Sequence, residues 1–483
     1  MMQLGKKQLL INGEWRDASN GKTLQVVNPA TEEVIAEVAN ATKDDVDAAV
    51  ASARAAFDGP WAKVPARERG RLLWKLGEKL MEQADEIAKL ETLHNGKPIF
   101  ESRQIEIPAS VECLQYYAGW ADKVHGETVP VKGNALVYTR REPLGVIAAI
   151  VPWNFPLMLA VWKVAPALAM GNTVVLKPAS QTPLTALELG RLALEVGFPP
   201  GVLNVVTGSG STTGQAIVEH PGIDKIAFTG DTSTGKGIMR SAAETIKHVT
   251  LELGGKSPNI VFADADVEAA VRGATVGIFY GKGEVCAAGS RLLVEASIKD
   301  QFMEKLAART KKMGVGDPMD PKTRFGALSS KSHFERVLGY IDTAKKEGAT
   351  LVAGGERADV GTGKGYFVQP TVFGNVTTDM TIAKEEIFGP VLACIEFTDV
   401  EDAIAKANNT VYGLAAGLWT KDVKKAHYVA SKLKAGTVWV NTYNVYDTAM
   451  SFGGYKQSGF GREMGMHALD YYTQLKSVWV DLN

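Results

Sequence analysis

The stretch that decides the fold is "GVIAAIVPWN", residues 145–154, where a short apolar run ends in aromatic and polar residues. Similar runs follow at "TVVLK" (173–177), "LNVV" (203–206) and "KIAFTG" (225–230), and each precedes a segment with helical spacing. Strands that alternate with helices predict βαβ units, with helices on both faces of a parallel sheet. We therefore expect an α/β protein.

The residues that follow these strands are candidates for a binding site, because ligands bind such sheets beyond the carboxyl ends of the strands. "FTGDTSTG" (228–235) predicts a strand, a turn and a helix, and the free N–H groups of a helix N-terminus favour anions. Lys177 directly follows an apolar strand and is suited to ribose or phosphate, or is a solvated charge at the strand end. Together these features favour a dinucleotide site.

Glu252 ends another apolar run, "HVTLELGG" (248–255), where a carboxylate should be partly buried. Burial without a fixed partner raises the pKa of a carboxylate toward the range useful for a general base. The alternative is an interior glutamate held in a salt bridge.

Cys286 lies among small residues in "GKGEVCAAGSR" (281–291), which leaves access to its sulfur, although free cysteines are commonly just buried. A thiol, the Glu252 base and the side-chain N–H of Asn154 are the parts of acyl-transfer chemistry. With a dinucleotide site, the simplest joint interpretation is oxidation of a carbonyl through a thioester. A cofactor-free cysteine esterase is the alternative, but it would have no use for Lys177 or the turn at Gly230.

Composition narrows the class of protein. The 483 residues suggest two or more domains. The net charge is -1 and the sequence has no long basic run, so we find no sign of a basic surface for nucleic acid or an anionic membrane. We find no signal-peptide stretch and no apolar run long enough to span a bilayer. The three cysteines and seven histidines lack metal-ligand spacing, so we expect a cytoplasmic protein with reduced thiols and no metal.

Two segments look like strands without helix partners: "ALVYTRREPLG" (135–145) and "SVWVDLN" (477–483). Unpaired strands of this kind suggest edges that another subunit completes.

Seven motifs occur in order over essentially the whole chain, and together they resemble the NAD(P)-dependent aldehyde dehydrogenase superfamily. They are "VPWNFPL" (151–157), "LKPASQTP" (176–183), "FTGDTSTG" (228–235), "LELGGKSPN" (251–259), "EVCAAGSR" (284–291), "KEEIFGPV" (384–391) and "SFGGYKQSGFGRE" (451–463).

The resemblance implies a role for each matching position. Cys286 would be the nucleophile, Glu252 the base for deacylation, Asn154 an oxyanion donor and Glu463 part of a proton relay. The implied cofactor-binding residues are Ile150, Trp153, Lys177, Ser180, Gly210, Gly230, Asp231, Glu386 and Phe388. The implied substrate tunnel is lined by Phe155, Leu159, Trp162, Val285, Tyr446 and Phe452.

The resemblance also implies a fold, an assembly and a reaction. The expected parts are a Rossmann-like NAD(P)-binding domain (1–122 and 143–254), a catalytic domain (255–457) and oligomerisation strands (123–142 and 472–483) that form a dimer or tetramer. A Cys286 thiolate, favoured by a lowered pKa, would give a thiohemiacetal and, after hydride transfer, a thioester. Members that pass the acyl group to coenzyme A usually lack this glutamate, so Glu252 favours hydrolysis to the acid.

Three positions depart from the usual family pattern. Gly281-Lys282 stand where Asn-Gln is common, which predicts a looser backbone before the nucleophile. Asp231 replaces a serine and should weaken pyrophosphate binding unless it points away or caps its helix. Ser180 replaces a glutamate that would repel a 2'-phosphate, so we expect use of NADP as well as NAD.

The tunnel residues are apolar and aromatic, with no arginine to hold a carboxylate. This predicts medium or long aliphatic, aromatic or terpenoid (retinal-like) aldehydes over succinic semialdehyde. Because aromatic walls also bind quaternary ammonium groups, betaine aldehyde is an alternative.

Overall fold

A computed structural model describes residues 4–483, and its first large sheet has eight strands, five of which form a parallel centre. In order across the sheet, these five are His248–Glu252, Lys225–Thr229, Val146–Ile150, Thr173–Lys177 and Leu203–Val205. The predicted runs are therefore neighbours, and their carboxyl ends lie along one edge, as a parallel arrangement requires.

Every residue of the three middle strands is buried, because helices cover both faces of the sheet. Antiparallel strands extend the sheet at its sides: Gly459–Phe460 beside His248–Glu252, and then Leu9–Ile11 and Glu14–Arg16 beyond Leu203–Val205. The helices that precede or connect these strands are Lys43–Asp58, Ala66–Glu82, Ala84–Asn95, Ile99–Glu101, Ile107–Trp120, Pro156–Ala169, Leu184–Val196, Gln215–Glu219 and Thr232–Ala243.

The second large sheet has seven strands and is parallel except at one edge. In order it contains Thr350–Ala353, Thr371–Gly374, Val391–Phe397, Arg291–Glu295, Pro258–Val261, Ala415–Trp419 and Thr437–Val440, of which the first is antiparallel. Its helices are Val267–Phe279, Lys299–Thr310, Lys331–Lys346, Thr381–Lys384, Val400–Asn408 and Val423–Lys432.

The two strands predicted to lack helix partners pair with each other. Ala135–Pro143 runs antiparallel to Thr473–Asp481 over nine residue pairs, and Thr128–Val129 adds a third strand. A further small sheet contains Lys6–Lys7, Glu33–Ala39 and Thr23–Asn28.

The predicted domain bounds stay predictions, although the two large sheets follow the predicted division of the chain. The strand Gly459–Phe460 is an exception to this division. It follows the strands of the second sheet in the chain, but it belongs to the first sheet, where it pairs with the strand that ends at Glu252. Within residues 4–483, no helix has both the length and the apolar character needed to cross a bilayer. The same residues contain no cluster of three or more His, Cys, Asp or Glu side chains suited to a metal ion.

Candidate active site

The loop that carries Cys286 lies between a 3-10 turn, Tyr280–Gly283, and the strand Arg291–Glu295. It packs directly on the chain that follows Glu252, where a Cβ at Gly255 would lie 2.4 Å from the carbonyl oxygen of Cys286. Only glycine fits this approach, because real side chains do not reach so short a separation. "LELGG" therefore brings the end of one sheet against the nucleophile loop of the other.

Cys286 is partly buried in this structure. Burial, followed by the carboxylates of Glu252 and Glu386, raises the pKa of its thiol to about 12. Backbone N–H groups of Ala287 and Cys286 oppose this shift. The protein surroundings of Cys286 thus raise its pKa, and the lowered pKa that the resemblance implies upon cofactor binding stays a prediction.

Glu252 is 3% exposed, and neither of its carboxylate oxygens has a hydrogen-bond partner among residues 4–483. Burial raises its pKa well above the ordinary value, and the nearby Glu463 carboxylate raises it further. The alternative of a salt-bridged glutamate applies instead to Glu463, which is ion-paired with the buried Lys163. Both oxygens of Glu252 are free to accept a proton, whereas Glu463 has one oxygen paired with Lys163 and only Oε2 without a partner.

Asn154 also contacts the nucleophile loop, from a position just before the helix Pro156–Ala169. Its side-chain amide donates to the carbonyl oxygen of Glu284 at 2.9 Å, two residues before Cys286. An amide nitrogen carries two N–H bonds, so one stays free for a further acceptor. This contact brings the predicted oxyanion donor to the loop that carries the sulfur.

Trp153, Glu386 and Phe388 surround another approach to Cys286. The Trp153 and Phe388 rings meet edge to face with centroids 5.3 Å apart, and Glu386 accepts the Gly255 N–H at 2.8 Å. Burial raises the pKa of Glu386 to about 7. A narrow pocket lies here, lined by Gly255, Ile278, Gly283, Val285, Ala288, Ser290, Glu386, Ile387, Phe388 and Gly389.

Lys177 ends the strand next to Ile150, and both residues are nearly buried. Burial lowers the pKa of Lys177 to about 8, and its ammonium donates one hydrogen bond, to the Pro178 carbonyl at 3.1 Å. Ser180 is half-buried and its hydroxyl contacts Gln181. Open space surrounds the Cα of Gly210, where an added Cβ would touch nothing within 4 Å.

Asp231 caps the helix Thr232–Ala243. Capping is one of the two conditions under which its charge was not expected to weaken pyrophosphate binding. Its carboxylate accepts the N–H groups of Ser233 at 2.9 Å and Thr234 at 3.0 Å, and also both of their hydroxyls. These hydrogen bonds hold its pKa below the usual value, against the effect of burial. Gly230, one residue earlier, packs so closely on the Phe228 ring that a Cβ would lie 2.4 Å away.

Three of the predicted tunnel residues form an aromatic cluster. Trp162 lies 5.7 Å from Phe452 and 6.5 Å from Tyr446, and the last two rings are 5.7 Å apart. The Cys286 sulfur contributes to raising the pKa of Tyr446, which places this cluster on the nucleophile's side.

The other predicted tunnel residues are Phe155, Val285 and Leu159. A Cβ at Gly281 would touch Val285 at 3.1 Å and Phe155 at 3.4 Å, so these two side chains face one another. Leu159 is buried on the helix that also carries Trp162.

A family model described as "Aldehyde dehydrogenase family" matches residues 15–478. The chain belongs to the aldehyde dehydrogenase family. Members of this family are enzymes that oxidise aldehydes, and the α/β fold and the resemblance inferred from the motifs are thereby confirmed.

Relatives of similar length support the same assignment. Mitochondrial aldehyde dehydrogenase of Homo sapiens is 51% identical over 98% of this chain and 92% of its own. The mitochondrial family 2 member B4 of Arabidopsis thaliana is 51% identical over 100% of this chain and 89% of its own. The solved NAD+ complex of a Bacillus cereus aldehyde dehydrogenase has a TM-score of 0.97 and 53% identity, covering 99% of this chain and 97% of that one. This similarity supports NAD as a cofactor.

In this aldehyde dehydrogenase, sequence reasoning missed Lys163. Its fully buried ammonium bonds the Thr229 hydroxyl at 2.6 Å and pairs with Glu463. A signal was present, because Lys163 is the only charged residue in the helix Pro156–Ala169. A lone charge in a buried apolar helix needs a buried partner, since an unpaired charge there is costly.

The looser backbone expected at Gly281-Lys282 is not found. Both residues have left-handed backbone angles, with φ of 56° and 64°, and both are buried. The Lys282 ammonium is bonded to Asn95 and lies 2.7 Å from a carboxylate oxygen of Glu284. Side-chain contacts therefore hold this turn in place.

Proposed function

We propose that this enzyme oxidises an aldehyde to a carboxylic acid through a thioester on Cys286, with hydrolysis assisted by Glu252. The observation that carries the proposal is the Glu252 carboxylate, which is buried and unpaired beside the thiol. The test is aldehyde-dependent reduction of NAD+, followed by the absorbance of NADH, which Cys286→Ala should lose.

The raised pKa of Cys286 means that a base must take its proton before or during attack on the aldehyde. Glu252 is suited to this task, because its raised pKa favours proton uptake and its oxygens are free. The attack gives a thiohemiacetal oxyanion, and the free N–H of Asn154 together with the Cys286 backbone N–H would hold it. Loss of hydride from the thiohemiacetal carbon to the bound cofactor would leave the thioester. Glu252, once it has passed the thiol proton to solvent, would then take a proton from the water that hydrolyses this thioester.

The surroundings of Lys177 fit a dinucleotide. Its nearly enclosed ammonium has one protein hydrogen bond, so two N–H bonds remain for ribose hydroxyls or phosphate. Glu386, whose carboxylate is fixed by the Gly255 N–H, would hold the second ribose, with Phe388 and Trp153 beside the nicotinamide. Bound NAD(P)+ supplies the hydride acceptor. The roles of Ile150, Ser180, Gly210, Gly230 and Asp231 in this site belong to the same proposal.

We expect the enzyme to use NADP+ in addition to NAD+, because Ser180 carries no negative charge that would repel a 2'-phosphate. The ratio of kcat/KM for NAD+ to that for NADP+ should stay below about 10³, or ~4 kcal/mol. Ser180→Glu should lower kcat/KM for NADP+ at least about tenfold more than that for NAD+, since like charges repel across a binding site.

Gln181→Glu is the matched control, with the same charge one residue along the chain. It should change the cofactor ratio less than Ser180→Glu. A wild-type preference for NAD+ above about 10³ contradicts the prediction.

The substrate class follows from the aromatic cluster of Trp162, Tyr446 and Phe452. Burial holds the Tyr446 pKa well above its ordinary value, so its phenol is neutral, and this wall presents aromatic surface without a cation. Such a surface favours apolar aldehydes, because burial of apolar area stabilises the bound substrate.

A panel of acetaldehyde, hexanal, benzaldehyde, retinal, betaine aldehyde and succinic semialdehyde tests this class. We expect higher kcat/KM for hexanal, benzaldehyde or retinal than for acetaldehyde, which measures the benefit of apolar contact. The highest kcat/KM for succinic semialdehyde would contradict the prediction, and the highest value for betaine aldehyde would support the alternative of quaternary-ammonium binding.

The three-stranded sheet supports a role in self-association. Leu475 and Trp479 on the strand Thr473–Asp481 are each 61% exposed, and Leu136 on the adjacent strand is 43% exposed. Leu475 and Trp479 share one face of the sheet, whereas Leu136 lies on the other, and exposed apolar side chains of this kind are typical of an interface. We therefore propose that these strands join subunits in a dimer or tetramer. The cytoplasmic location stays a prediction.

A further inference from the structure

Lys282 stands where the sequence departs from the usual family pattern, and its side chain is 1% exposed. Its ammonium donates to the backbone carbonyl of Asn95 at 2.8 Å and to the side-chain oxygen of Asn95 at 2.9 Å. It also lies 2.7 Å from the Oε2 atom of Glu284. Loss of these partners would leave the buried Lys282 ammonium unpaired, which is energetically costly. The contacts with Asn95 and Glu284 therefore constrain the position of this ammonium strongly.

The two partners of Lys282 each hold a different part of Asn154. The Asn95 amide donates to the carbonyl of Trp153 at 2.7 Å and contacts the Asn154 carbonyl at 3.4 Å. On the other side, the Glu284 carbonyl accepts the Asn154 amide at 2.9 Å. Lys282 therefore closes a ring of polar contacts that passes through Asn95, Asn154 and Glu284.

Other buried groups hold this ring from outside. Ser329 donates its backbone N–H to Glu284 Oε1 at 2.9 Å, and the His333 ring lies 3.6 Å from the same oxygen. The Lys97 ammonium donates to the Asn154 carbonyl at 2.8 Å. Within the ring, the Glu284 side chain is joined to Asn95 only through the Lys282 ammonium. Removal of this ammonium therefore breaks the ring between Glu284 and Asn95.

We propose that Lys282 is a positioning residue, whose ammonium sets the distance between the Asn154 amide and the Cys286 loop. The proposal rests on the proposed function, in which Asn154 stabilises the oxyanion. Asn154 is attached to the ring at both its backbone and its side chain, so a shift of either attachment moves its free N–H. Displacement of a reacting group by about 1 Å can cost about 10²-fold in rate.

Lys282→Met removes the ammonium and keeps most of the buried volume. The rate of the first turnover, measured as a burst of NADH, should fall about 10- to 100-fold. The KM for the aldehyde should change much less than this rate, because the partners of the Lys282 ammonium, Asn95 and Glu284, are not among the proposed tunnel residues. Lys345→Met is the control, since Lys345 also bonds a backbone carbonyl, that of Gly355 at 2.7 Å.

A double-mutant cycle with Asn154→Ala separates positioning from general loss of stability. If Lys282 acts through Asn154, its substitution should have little further effect on the burst rate once the amide is gone. Additive losses in Lys282→Met/Asn154→Ala, or a burst rate for Lys282→Met equal to that for Lys345→Met, would overturn the proposal. If Asn154→Ala alone keeps the full rate, the oxyanion assignment fails instead.

Lys282→Gln serves as a second variant if methionine prevents folding, because its amide can still bond one partner. Its side chain is shorter and uncharged, so it cannot hold Asn95 and Glu284 together. We expect a smaller fall in burst rate than with methionine, and the same non-additivity with Asn154→Ala. Wild-type burst kinetics in this variant, or additive losses, would overturn the proposal.

Discussion

Cys286→Ala should lower kcat/KM for aldehyde oxidation by at least about 10⁴-fold, because no other group can replace the nucleophile. The proposed reaction requires a covalent thiohemiacetal, from which hydride leaves, and alanine cannot form that bond. The measurement is the initial rate of NADH formation, with NAD+ binding to the variant followed separately by titration. Binding should be retained, since the proposed cofactor contacts do not involve the sulfur.

Cys394→Ala is the matched control for this substitution. Cys394 is also a buried free cysteine whose pKa is raised by burial, but it lies within the strand Val391–Phe397. Its replacement should leave kcat/KM close to that of the wild type, because a small core thiol contributes packing alone. NADH formation that persists in Cys286→Ala would contradict the mechanism.

Glu252→Gln should separate the two halves of the reaction. Hydride transfer should still give a burst of NADH, but a slower one, because water must take the thiol proton in place of Glu252. The steady-state rate should then fall at least about 10²-fold, because the thioester lacks its general base. Rapid mixing with NAD+ and aldehyde, followed by NADH absorbance, measures both phases.

The pH dependence of deacylation follows from the raised pKa of Glu252. A general base works in its ionised form, so the deacylation rate should increase as pH rises through that pKa. Glu252→Gln should remove this increase.

Glu295→Gln is the control for Glu252→Gln, because Glu295 also ends a strand but its carboxylate accepts the Ala263 N–H at 2.8 Å. Its replacement should leave both the burst and the steady-state rate close to wild type. An unchanged steady-state rate in Glu252→Gln would show that another group activates the water.

Local pattern was enough to predict much of the fold. The β-branched runs that end at Ile150, Lys177 and Thr229 are buried on both faces, and such runs are typical of parallel strands under helices. Helix boundaries are less visible in the sequence, as at the two successive helices Ala66–Glu82 and Ala84–Asn95. The break at Gln83 has no glycine or proline to mark it in the sequence.

The electrostatic state of the site was harder to predict. The raised pKa of Glu252 was expected from its place at the end of an apolar strand, and the structure agrees. The protein surroundings of Cys286 raise its pKa, because the thiol is buried beside two carboxylates from distant segments. A thiol's pKa depends on charges within a few ångströms, and sequence neighbours do not specify them.

The sequence by itself determined the chemical parts of this aldehyde dehydrogenase: the strands, the glycines that allow close approach, and a thiol, a carboxylate and an amide at strand ends and loops. Only the tertiary structure decided which partners these groups have. Glu463 is paired with Lys163 while Glu252 is unpaired, and Lys282 pairs with Glu284 and bonds Asn95, 187 residues earlier in the chain. The reason is that a buried charge pairs with a group that tertiary packing places within hydrogen-bond distance. The spacing of residues along the chain does not specify which group that is.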